Sequence, residues 1–258
     1  MNNLTLISAV IITFNEEKNI ERCLKSLIPI ADEIIVIDSF STDRTEEICG
    51  KYNVKFVSQE WLGYAKSKNL GNQLATHSYI LSVDADEAVS DDLANTLILL
   101  KRKKVTGAFE LKRLTNYCGY WVNHCGWYPD AKVRLFPKLR AQWVGDSVHE
   151  QLQLAKELQV TRLNGDLLHY SYYTTKQHMQ TIDKYTTLGA DDLHQRNKKT
   201  SQTMAHIKAV VRFVRMYVFQ SGWLDGWAGW MICKNSAYGV WLKYHKLNLL
   251  NNPAKKIS

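Results

Sequence analysis

The sequence predicts an α/β fold, with a mostly parallel, Rossmann-like sheet flanked by helices and a helical C-terminal extension. Before residue 84, four short apolar runs alternate with segments of helical periodicity. These runs are residues 6–13, 33–37, 55–57 and 79–83. Such alternation is typical of parallel strands joined by right-handed crossovers through helices. Helix-forming residues without proline over Thr175–Gln195 predict the helical extension.

The first and fourth runs show what each element requires. Residues 6–13 are almost continuously apolar and rich in isoleucine and valine, as expected of a parallel strand buried on both faces. Asn15 is predicted to cap the helix that follows. Residues 79–83 run directly into three carboxylates within four positions, beginning at Asp84. Because a strand interior does not tolerate unpaired charge, the fourth strand must end there, in solvent or against a ligand.

Length, charge and cysteine content narrow the class of protein. At 258 residues the chain suits one sizeable domain, alone or with an appended helical tail. The net charge of +8 belongs to the part after Asp192, which holds eleven basic residues and one acidic residue, Asp225. Five scattered cysteines argue against a disulfide framework. Neither a signal-peptide pattern nor an apolar run long enough to span a bilayer is apparent, so we expect a cytoplasmic protein.

Polar side chains follow three of the predicted strands, at residues 13–16, 38–39 and 84–86. The carboxyl ends of parallel strands meet at one edge of the sheet, where ligands bind, so this coincidence favours a nucleotide-type site. The glycine patterns of dinucleotide dehydrogenases, phosphate-loop NTPases and α/β-hydrolases are missing. A divalent cation on Asp84 and Asp86 would hold a pyrophosphate instead. A polar turn before a helix also explains these two residues.

With these motifs the chain resembles the family 2 glycosyltransferases of GT-A fold. The resemblance is carried by T-F-N-E-E at residues 13–17, I-D-S-F-S-T-D-R-T at 37–45, A-K-S-K-N at 65–69 and V-D-A-D-E at 83–87. Further motifs resemble the bacterial β-1,4-glucosyltransferases that add glucose to heptose in the lipopolysaccharide inner core. They are G-W-Y-P-D-A-K-V-R-L-F-P-K at 126–138, V-H-E at 148–150, H-Y-S-Y at 169–172 and G-W-L-D-G-W at 222–227.

The resemblance implies an inverting transfer of a hexose, with glucose favoured, from a UDP-sugar to a lipid-linked saccharide such as the lipopolysaccharide core. Asp38 would accept the uracil N3–H, and Phe14 would lie against the base. Thr13 and Glu16 would border the same pocket. Lys68 would face the nucleotide phosphates, although a solvated helix face also explains a lysine there. A core aromatic is the alternative for Phe14.

The resemblance also implies a metal and a base. Asp84 would approach the ribose, and Asp84 and Asp86 would hold Mg²⁺ or Mn²⁺. Glu87 is given no role beyond preceding the next helix. Glu150 is the favoured base for the acceptor hydroxyl, by a direct displacement, and Asp146 is the alternative.

The aromatic segment around residues 119–128 is predicted to bind the acceptor. Trp127 and Tyr128 would stack on sugar rings, with core packing as the alternative. Lys132 and Arg134 would contact anionic groups of the acceptor.

The resemblance divides the chain into a catalytic domain, residues 1–170, and a basic helical tail, residues 171–258. Residues 1–90 would bind the nucleotide and 91–170 the acceptor. Within the tail, residues 204–219 predict a basic amphipathic helix lying on an anionic membrane surface, at the inner face of the cytoplasmic membrane. A basic face on an ordinary core helix is the alternative. No nucleic-acid recognition motif accompanies the charge.

Three other functions stay open at this point. The first is a glycosyltransferase of the same fold that acts on another cell-surface polysaccharide or glycolipid. The second is a phosphotransferase or phosphatase that uses an Asp-x-Asp motif, although its usual first-strand aspartate is missing here. The third is a non-catalytic, membrane-associated protein that binds nucleotide sugars.

Overall fold

The structure is a computed structural model that describes residues 4–145 and 150–252. The chain forms two compact units. The first unit comprises Met1–Leu114 and Asp130–Tyr170, and the second comprises Thr115–Pro129 and Ser171–Ser258. The two units are described separately below.

The first unit contains the four predicted parallel strands. They are β1 (Ile7–Thr13), β2 (Glu33–Asp38), β3 (Lys55–Ser58) and β4 (Tyr79–Asp84), in the order β3-β2-β1-β4. The connecting helices are α1 (Ile20–Leu27), α2 (Thr45–Cys49) and α3 (Tyr64–Leu74). Every residue of β1 is buried, as its unbroken apolar sequence requires.

The other half of the sheet is antiparallel. Its strands are β5 (Glu87–Val89), β6 (Ala108–Tyr117), β8 (Asp130–Pro137) and β11 (Val160–Tyr172), and the sheet order continues β4-β8-β6-β11-β5. Helix α4 (Asp91–Lys101) lies between β5 and β6, and the short β7 (Tyr120–Val122) pairs with the end of β6. A separate hairpin is formed by β9 (Ala141–Val144) and β10 (Gln151–Leu154). The predicted α/β architecture is confirmed, and the sheet combines parallel and antiparallel strand pairs.

Two polar residues of the first unit, Asn15 and Ser90, differ in whether they cap a helix. The prediction that Asn15 caps α1 is wrong, because α1 begins only at Ile20. Asn15 has a φ of 54°, and its side chain accepts the backbone N–H of Thr42 at 2.8 Å. Asparagine tolerates this left-handed conformation because its short polar side chain can bond locally. Ser90, by contrast, caps α4 by accepting the backbone N–H of Leu93.

The second unit is mainly helical. Its helices are α5 (Thr175–Gln195), α6 (Gln202–Val214) and α7 (Gly226–Asn251), and α6 continues into a π-helical turn, Arg215–Phe219. Thr174 and Gln177 form a reciprocal capping box at the start of α5. Among the helices described here, none is both long and apolar enough to cross a membrane.

A tight corner precedes α7. Gly222 opens a short 3₁₀ segment, Gly222–Asp225, and a Cβ on Gly229 would lie 1.8 Å from the carbonyl oxygen of Gly222. Only glycine therefore permits this backbone contact. The carboxylate of Asp225 accepts the backbone N–H of His124 at 2.8 Å and faces the His124 ring. These contacts give the G-W-L-D-G-W motif a structural role inside the second unit.

Candidate active site

The carboxyl ends of β1, β2 and β4 are neighbours in the sheet of the first unit. The register places Thr13 opposite Asp38, and Ile12 opposite Asp84. The three polar strand ends recognised in the sequence therefore lie at one edge. Thr13 is buried, and within the described part of the chain its hydroxyl oxygen has no hydrogen-bond partner.

The loops after β1 and β2 are tied together by short polar side chains. The carboxylate of Asp38 accepts the backbone N–H of Ser41 at 2.8 Å and also the Ser41 hydroxyl. The Ser41 hydroxyl in turn accepts the backbone N–H of Asn15. Phe14 and Phe40 are more than half exposed beside this knot, so Phe14 is not a core aromatic. Each Asp38 oxygen keeps further acceptor capacity, because a carboxylate oxygen carries two lone pairs.

Helix α3 delivers Lys68 to the same edge. Gly71, one turn further along, packs so closely on β1 that a Cβ would lie 2.3 Å from a methyl carbon of Val10. This close approach draws the whole helix against the sheet. Lys68 is consequently 3% exposed, and its Nζ lies 4.6 Å from the centre of the Trp143 ring. Lys68 is therefore not on a solvated helix face.

Two cations hold the carboxylate of Asp84. Its Oδ1 lies 3.0 Å from Lys68 Nζ, and its Oδ2 lies 2.7 Å from Arg134 Nη2. Burial opposes ionisation, but the charges of Arg134 and Lys68 prevail and hold the pKa of Asp84 well below its usual range. Asp84 is therefore a carboxylate at every ordinary pH, with both oxygens already facing protein cations.

Glu87, to which the sequence analysis assigns no role in the site, completes a buried ionic cluster. Its side chain is fully buried; Oε1 lies 2.7 Å from Arg134 Nη2 and 3.4 Å from Arg113 Nη1. Its Oε2 accepts the backbone N–H of Asp84 at 2.9 Å, which fixes the turn between β4 and β5. Burial and the nearby Asp84 charge raise the pKa of Glu87, while Arg134 opposes them.

Asp86 occupies a different environment in the same turn. Its backbone carbonyl accepts the N–H of Tyr170 at 2.9 Å, so β11 holds the turn from one side. The Nε2 atom of His169 lies 3.2 Å from Asp86 Oδ2. Both side chains are partly exposed, whereas Arg134 and Glu87 are buried.

These environments indicate which residues fit a divalent cation. The described residues contain no preformed group of three or more histidine, cysteine or acidic side chains suited to a metal. Asp86 and His169 supply one oxygen and one nitrogen donor side by side, which suits Mg²⁺ or Mn²⁺ when a diphosphate and water complete the shell. Asp84 fits less well as a ligand, because Lys68 and Arg134 already neutralise it.

Glu16 brings a further carboxylate to this edge. Its side chain accepts the Asn19 amide at 2.7 Å. Burial raises the pKa of Glu16, and the charges of Asp86, Asp43 and Asp84 raise it further, against the opposing hydrogen bond from Asn19. A cation at this edge would relieve that repulsion.

Of the two candidate bases, only Glu150 lies among the described residues. Glu150 Oε1 lies 3.6 Å from Lys68 Nζ, so Glu150 belongs to the same charged edge as Asp84. Asp146 lies outside the described residues, as does His149 of the V-H-E motif.

The four predicted acceptor residues fall into three environments. Arg134 is 4% exposed and bound to Asp84 and Glu87, whereas Lys132 is half exposed and lies 3.2 Å from Asp130. In the second unit, the Trp127 ring packs among an aromatic cluster. That cluster comprises Tyr117, Tyr172 and His178, with ring centres 5.9–6.2 Å from that of Trp127. Tyr128 precedes a cis-proline, Pro129, in that unit.

Sequence reasoning assigned no role to His169, Glu87 or Arg113. His169 stands in the H-Y-S-Y motif, so a signal existed, but only the pairing of β11 with β5 brings it to Asp86. Glu87 follows the strand-end aspartates directly, and a carboxylate next to other carboxylates in sequence is not expected to be buried.

Comparisons with known proteins find similarity to glycosyltransferases. Residues 8–117 match the family model "Glycosyl transferase family 2". An uncharacterised glycosyltransferase of Rickettsia typhi is 26% identical over 97% of this chain and 89% of its own length. A lipopolysaccharide core biosynthesis glycosyltransferase, LpsC of Rhizobium meliloti, is 26% identical over 93% of this chain and 91% of its own.

Solved structures of Staphylococcus aureus TarS are among the structural neighbours. One TarS structure is 17% identical, with a TM-score of 0.47, and the match covers 85% of this chain but only 45% of TarS. TarS residues 1–349 in complex with UDP are 12% identical, with a TM-score of 0.46, over 98% of this chain and 93% of that one. The family 2 model matches residues 8–117, and the relatives that span nearly the whole chain are glycosyltransferases, so the chain is similar to glycosyltransferases of family 2.

Proposed function

We propose that the protein transfers a hexose, with glucose favoured, from a UDP-sugar to a hydroxyl group of a lipid-linked saccharide, with inversion at the anomeric carbon. The observation that carries this proposal is the edge at which Asp84 is held by Lys68 and Arg134, while Asp86 pairs with His169. This edge lies at the carboxyl ends of parallel strands, where α/β proteins bind nucleotides.

On the donor side, Phe14 and Asp38 are assigned to the uracil base. Phe14 presents an exposed ring, and Asp38 is a buried acceptor whose carboxylate is fixed by Ser41. A fixed acceptor is suited to an N3–H donor, and an exposed ring is suited to stacking. Thr13 offers a buried hydroxyl at the same strand end.

Asp86 and His169 are assigned to the cation that accompanies the diphosphate. When bound there, Mg²⁺ or Mn²⁺ would neutralise the charge that develops on the UDP leaving group. Asp84 is assigned to the ribose, because its charge is fixed and both of its oxygens are oriented by cations. Lys68 Nζ lies 3.0 Å from Asp84 Oδ1 at the same edge, and it is assigned to contact the donor phosphates.

Glu150 is assigned as the base, with Asp146 as the alternative. The carboxylate takes the proton of the acceptor hydroxyl while that oxygen bonds to the anomeric carbon. The bond from the anomeric carbon to the UDP oxygen breaks in the same step, and UDP leaves with the electron pair. Lys68 Nζ lies 3.6 Å from Glu150 Oε1, so a cation faces the proposed base.

The acceptor class rests on the resemblance to lipopolysaccharide core enzymes and on the name of the relative LpsC. Lys132 is the partly exposed cation available for an acidic acceptor group. Trp127 and Tyr128 are proposed to contact its sugar rings.

The proposal is tested by measuring UDP release and sugar transfer with a panel of UDP-sugars, a lipid-linked saccharide and Mn²⁺. We expect chelation by EDTA, and the substitution Asp86→Asn, each to lower turnover by about 100-fold or more. Asp91→Asn removes an exposed carboxylate on α4 and serves as the matched control, with turnover unchanged. Turnover that survives both EDTA and Asp86→Asn would overturn the metal role, and the absence of transfer from every UDP-sugar in the panel would overturn the assigned donor.

A further inference from the structure

Helix α6 and the π-helical turn after it present a stripe of apolar side chains to solvent. We call it the outer stripe, and it recurs at helical spacing along one side. Its members are Met204, Ile207, Val210, Val211, Val214, Val218 and Phe219. Their exposed fractions run from 38% at Val214 to 80% at Phe219. Apolar exposure on this scale along one helix face marks an interaction surface rather than scattered surface residues.

The outer stripe is not the face by which α6 packs in its own unit. That task falls to the opposite side of the helix, where Ala205 and Met216 are completely buried. Phe213 lies on that side and packs its ring against Tyr217 and Trp230. Because α6 already has a packed face, the outer stripe has no role in the core of the second unit.

The apolar surface continues past α6. Trp223 and Leu224, in the corner before α7, are 56% and 52% exposed. A Cβ on Gly222 would lie 2.7 Å from the Cys233 sulfur. The corner therefore packs closely on α7 and leaves the side chains of Trp223 and Leu224 outside. Tryptophan at the border of an apolar surface is typical of groups that sit at a membrane–water interface.

Charge around the outer stripe is of one sign. No acidic residue occurs between Asp192 and Asp225. Lys208, Arg212 and Arg215 follow one another at spacings of four and three, so they share the side of α6 that flanks the stripe. Two of them lean onto α7, with Lys208 Nζ 3.9 Å from the Tyr244 ring centre and Arg212 bonded to Ser236.

We propose that the outer stripe, with Trp223 and Leu224, docks the protein onto an anionic lipid surface. An apolar helix face flanked by cations matches the acyl layer and the phosphate headgroups of such a surface together. A second copy of the chain fits less well. A twofold contact across the stripe would bring two sets of cations together without acidic partners on the stripe. The inference stands on the second unit alone and does not depend on the proposed reaction.

The test is co-sedimentation of the full-length protein with two kinds of vesicle: phosphatidylcholine alone, and a seven-to-three mixture with phosphatidylglycerol. We expect binding to the anionic vesicles to weaken with rising salt, and the double variant Val211→Glu, Phe219→Glu to reduce it at least tenfold. Arg215→Gln should reduce it about fivefold at low salt. The control is Leu139→Glu, which places a single negative charge on a 93% exposed leucine of the first unit and should leave binding unchanged.

A second measurement tests the proposal without adding charge to the protein. Brominated lipids should quench tryptophan emission in the wild-type chain, and less so after Trp223→Phe. Undiminished binding of the Val211→Glu, Phe219→Glu variant would overturn the proposal, and so would equal binding to neutral and anionic vesicles. Light scattering tests the alternative that the stripe binds a second copy of the chain. Self-association that the double variant abolishes, together with no vesicle binding by the wild type, would assign the stripe to that second copy.

Discussion

The candidate-site edge of the first unit and the outer stripe of the second reverse the usual distribution of residues in opposite ways. At the edge, Arg134 and Glu87 bring full charges into the interior, where they are neutralised by each other. On the stripe, Ile207 and Phe219 leave apolar surface in water although their helix has a packed face. Neither buried charge nor exposed apolar surface is favourable for folding by itself.

The difference teaches what each region requires. The buried charges depend on one another, so removing one partner should unfold or reorganise the edge. The exposed side chains depend on nothing inside the chain, so replacing them should leave the fold intact and change only association. Stability measurements therefore separate the two regions sharply.

The largest effect is expected for Arg134→Met. This change leaves Glu87 buried with one remaining cation and removes one of the two that hold Asp84, so the free energy of unfolding should fall by about 3–5 kcal/mol. Urea denaturation measures it. Lys132→Met on the same strand, where the lysine is half exposed, is the control and should cost less than about 1 kcal/mol. Equal losses for the two variants would contradict the distinction drawn here.

A smaller loss is expected for Gly71→Ala. The new methyl group would meet Val10 at 2.3 Å, so α3 must move away from β1. We expect about 1–3 kcal/mol of destabilisation, measured by thermal unfolding. Because Lys68 rides on the same helix, UDP-sugar turnover at a temperature where the variant is folded should fall as well. A variant that unfolds earlier yet keeps full turnover would show that the position of Lys68 tolerates this shift.

A pH-dependent effect is expected for Glu16→Gln. Burial and the neighbouring carboxylates raise the pKa of Glu16 in the folded protein above its ordinary value of 4.5. The folded state therefore holds this proton more tightly, and the residue costs stability as the pH rises through 4.5 and through the raised value. Glutamine keeps the bond to Asn19 and should remove that cost, a gain within about 1 kcal/mol at neutral pH. Unfolding curves from pH 4 to 8 measure it, and a gain that is the same at every pH would contradict the assignment.

The smallest effect on stability is expected for the outer stripe. Val211→Glu with Phe219→Glu should change the free energy of unfolding by no more than about 0.5 kcal/mol per site, because both side chains are already in water. Denaturation in the absence of lipid measures it. A large loss of stability would mean that the stripe packs within the protein. The stripe would then contribute to folding, as the buried edge does.

The parallel half of the fold was predictable because its signals are local. Short runs rich in apolar residues indicated β1, β2, β3 and β4, and α5 begins and ends at the predicted Thr175 and Gln195. The strand-end positions of Asp38 and Asp84 followed from the rule that parallel strands end at one edge.

The rest of the site was not predictable because it depends on contacts far apart in sequence. Arg134 reaches Asp84 across 50 positions, and His169 reaches Asp86 across the pairing of β11 with β5. Nothing in the local pattern distinguishes a buried arginine from one that faces an acceptor.

Helix α6 shows a related limit of periodicity. The spacing of Ile207, Val211 and Val214 correctly indicates an apolar face, but a packed face in a soluble protein has the same spacing. Ala205, on the other side of α6, is buried, so that side is the packed face. The sequence pattern does not reveal this, because a small residue such as alanine contributes little to hydrophobic periodicity.

Lys68 has a consequence for the order of events in the site. One ammonium group neutralises two carboxylates, Asp84 at 3.0 Å and Glu150 at 3.6 Å. A lysine carries its charge on a flexible stem, so it can turn toward an incoming phosphate without any backbone movement. Such a turn would loosen both carboxylates together, and the arrival of the donor would then release the proton acceptor. In the proposed reaction, a single side chain would thereby serve as the counter-ion of both the donor-side carboxylate and the base.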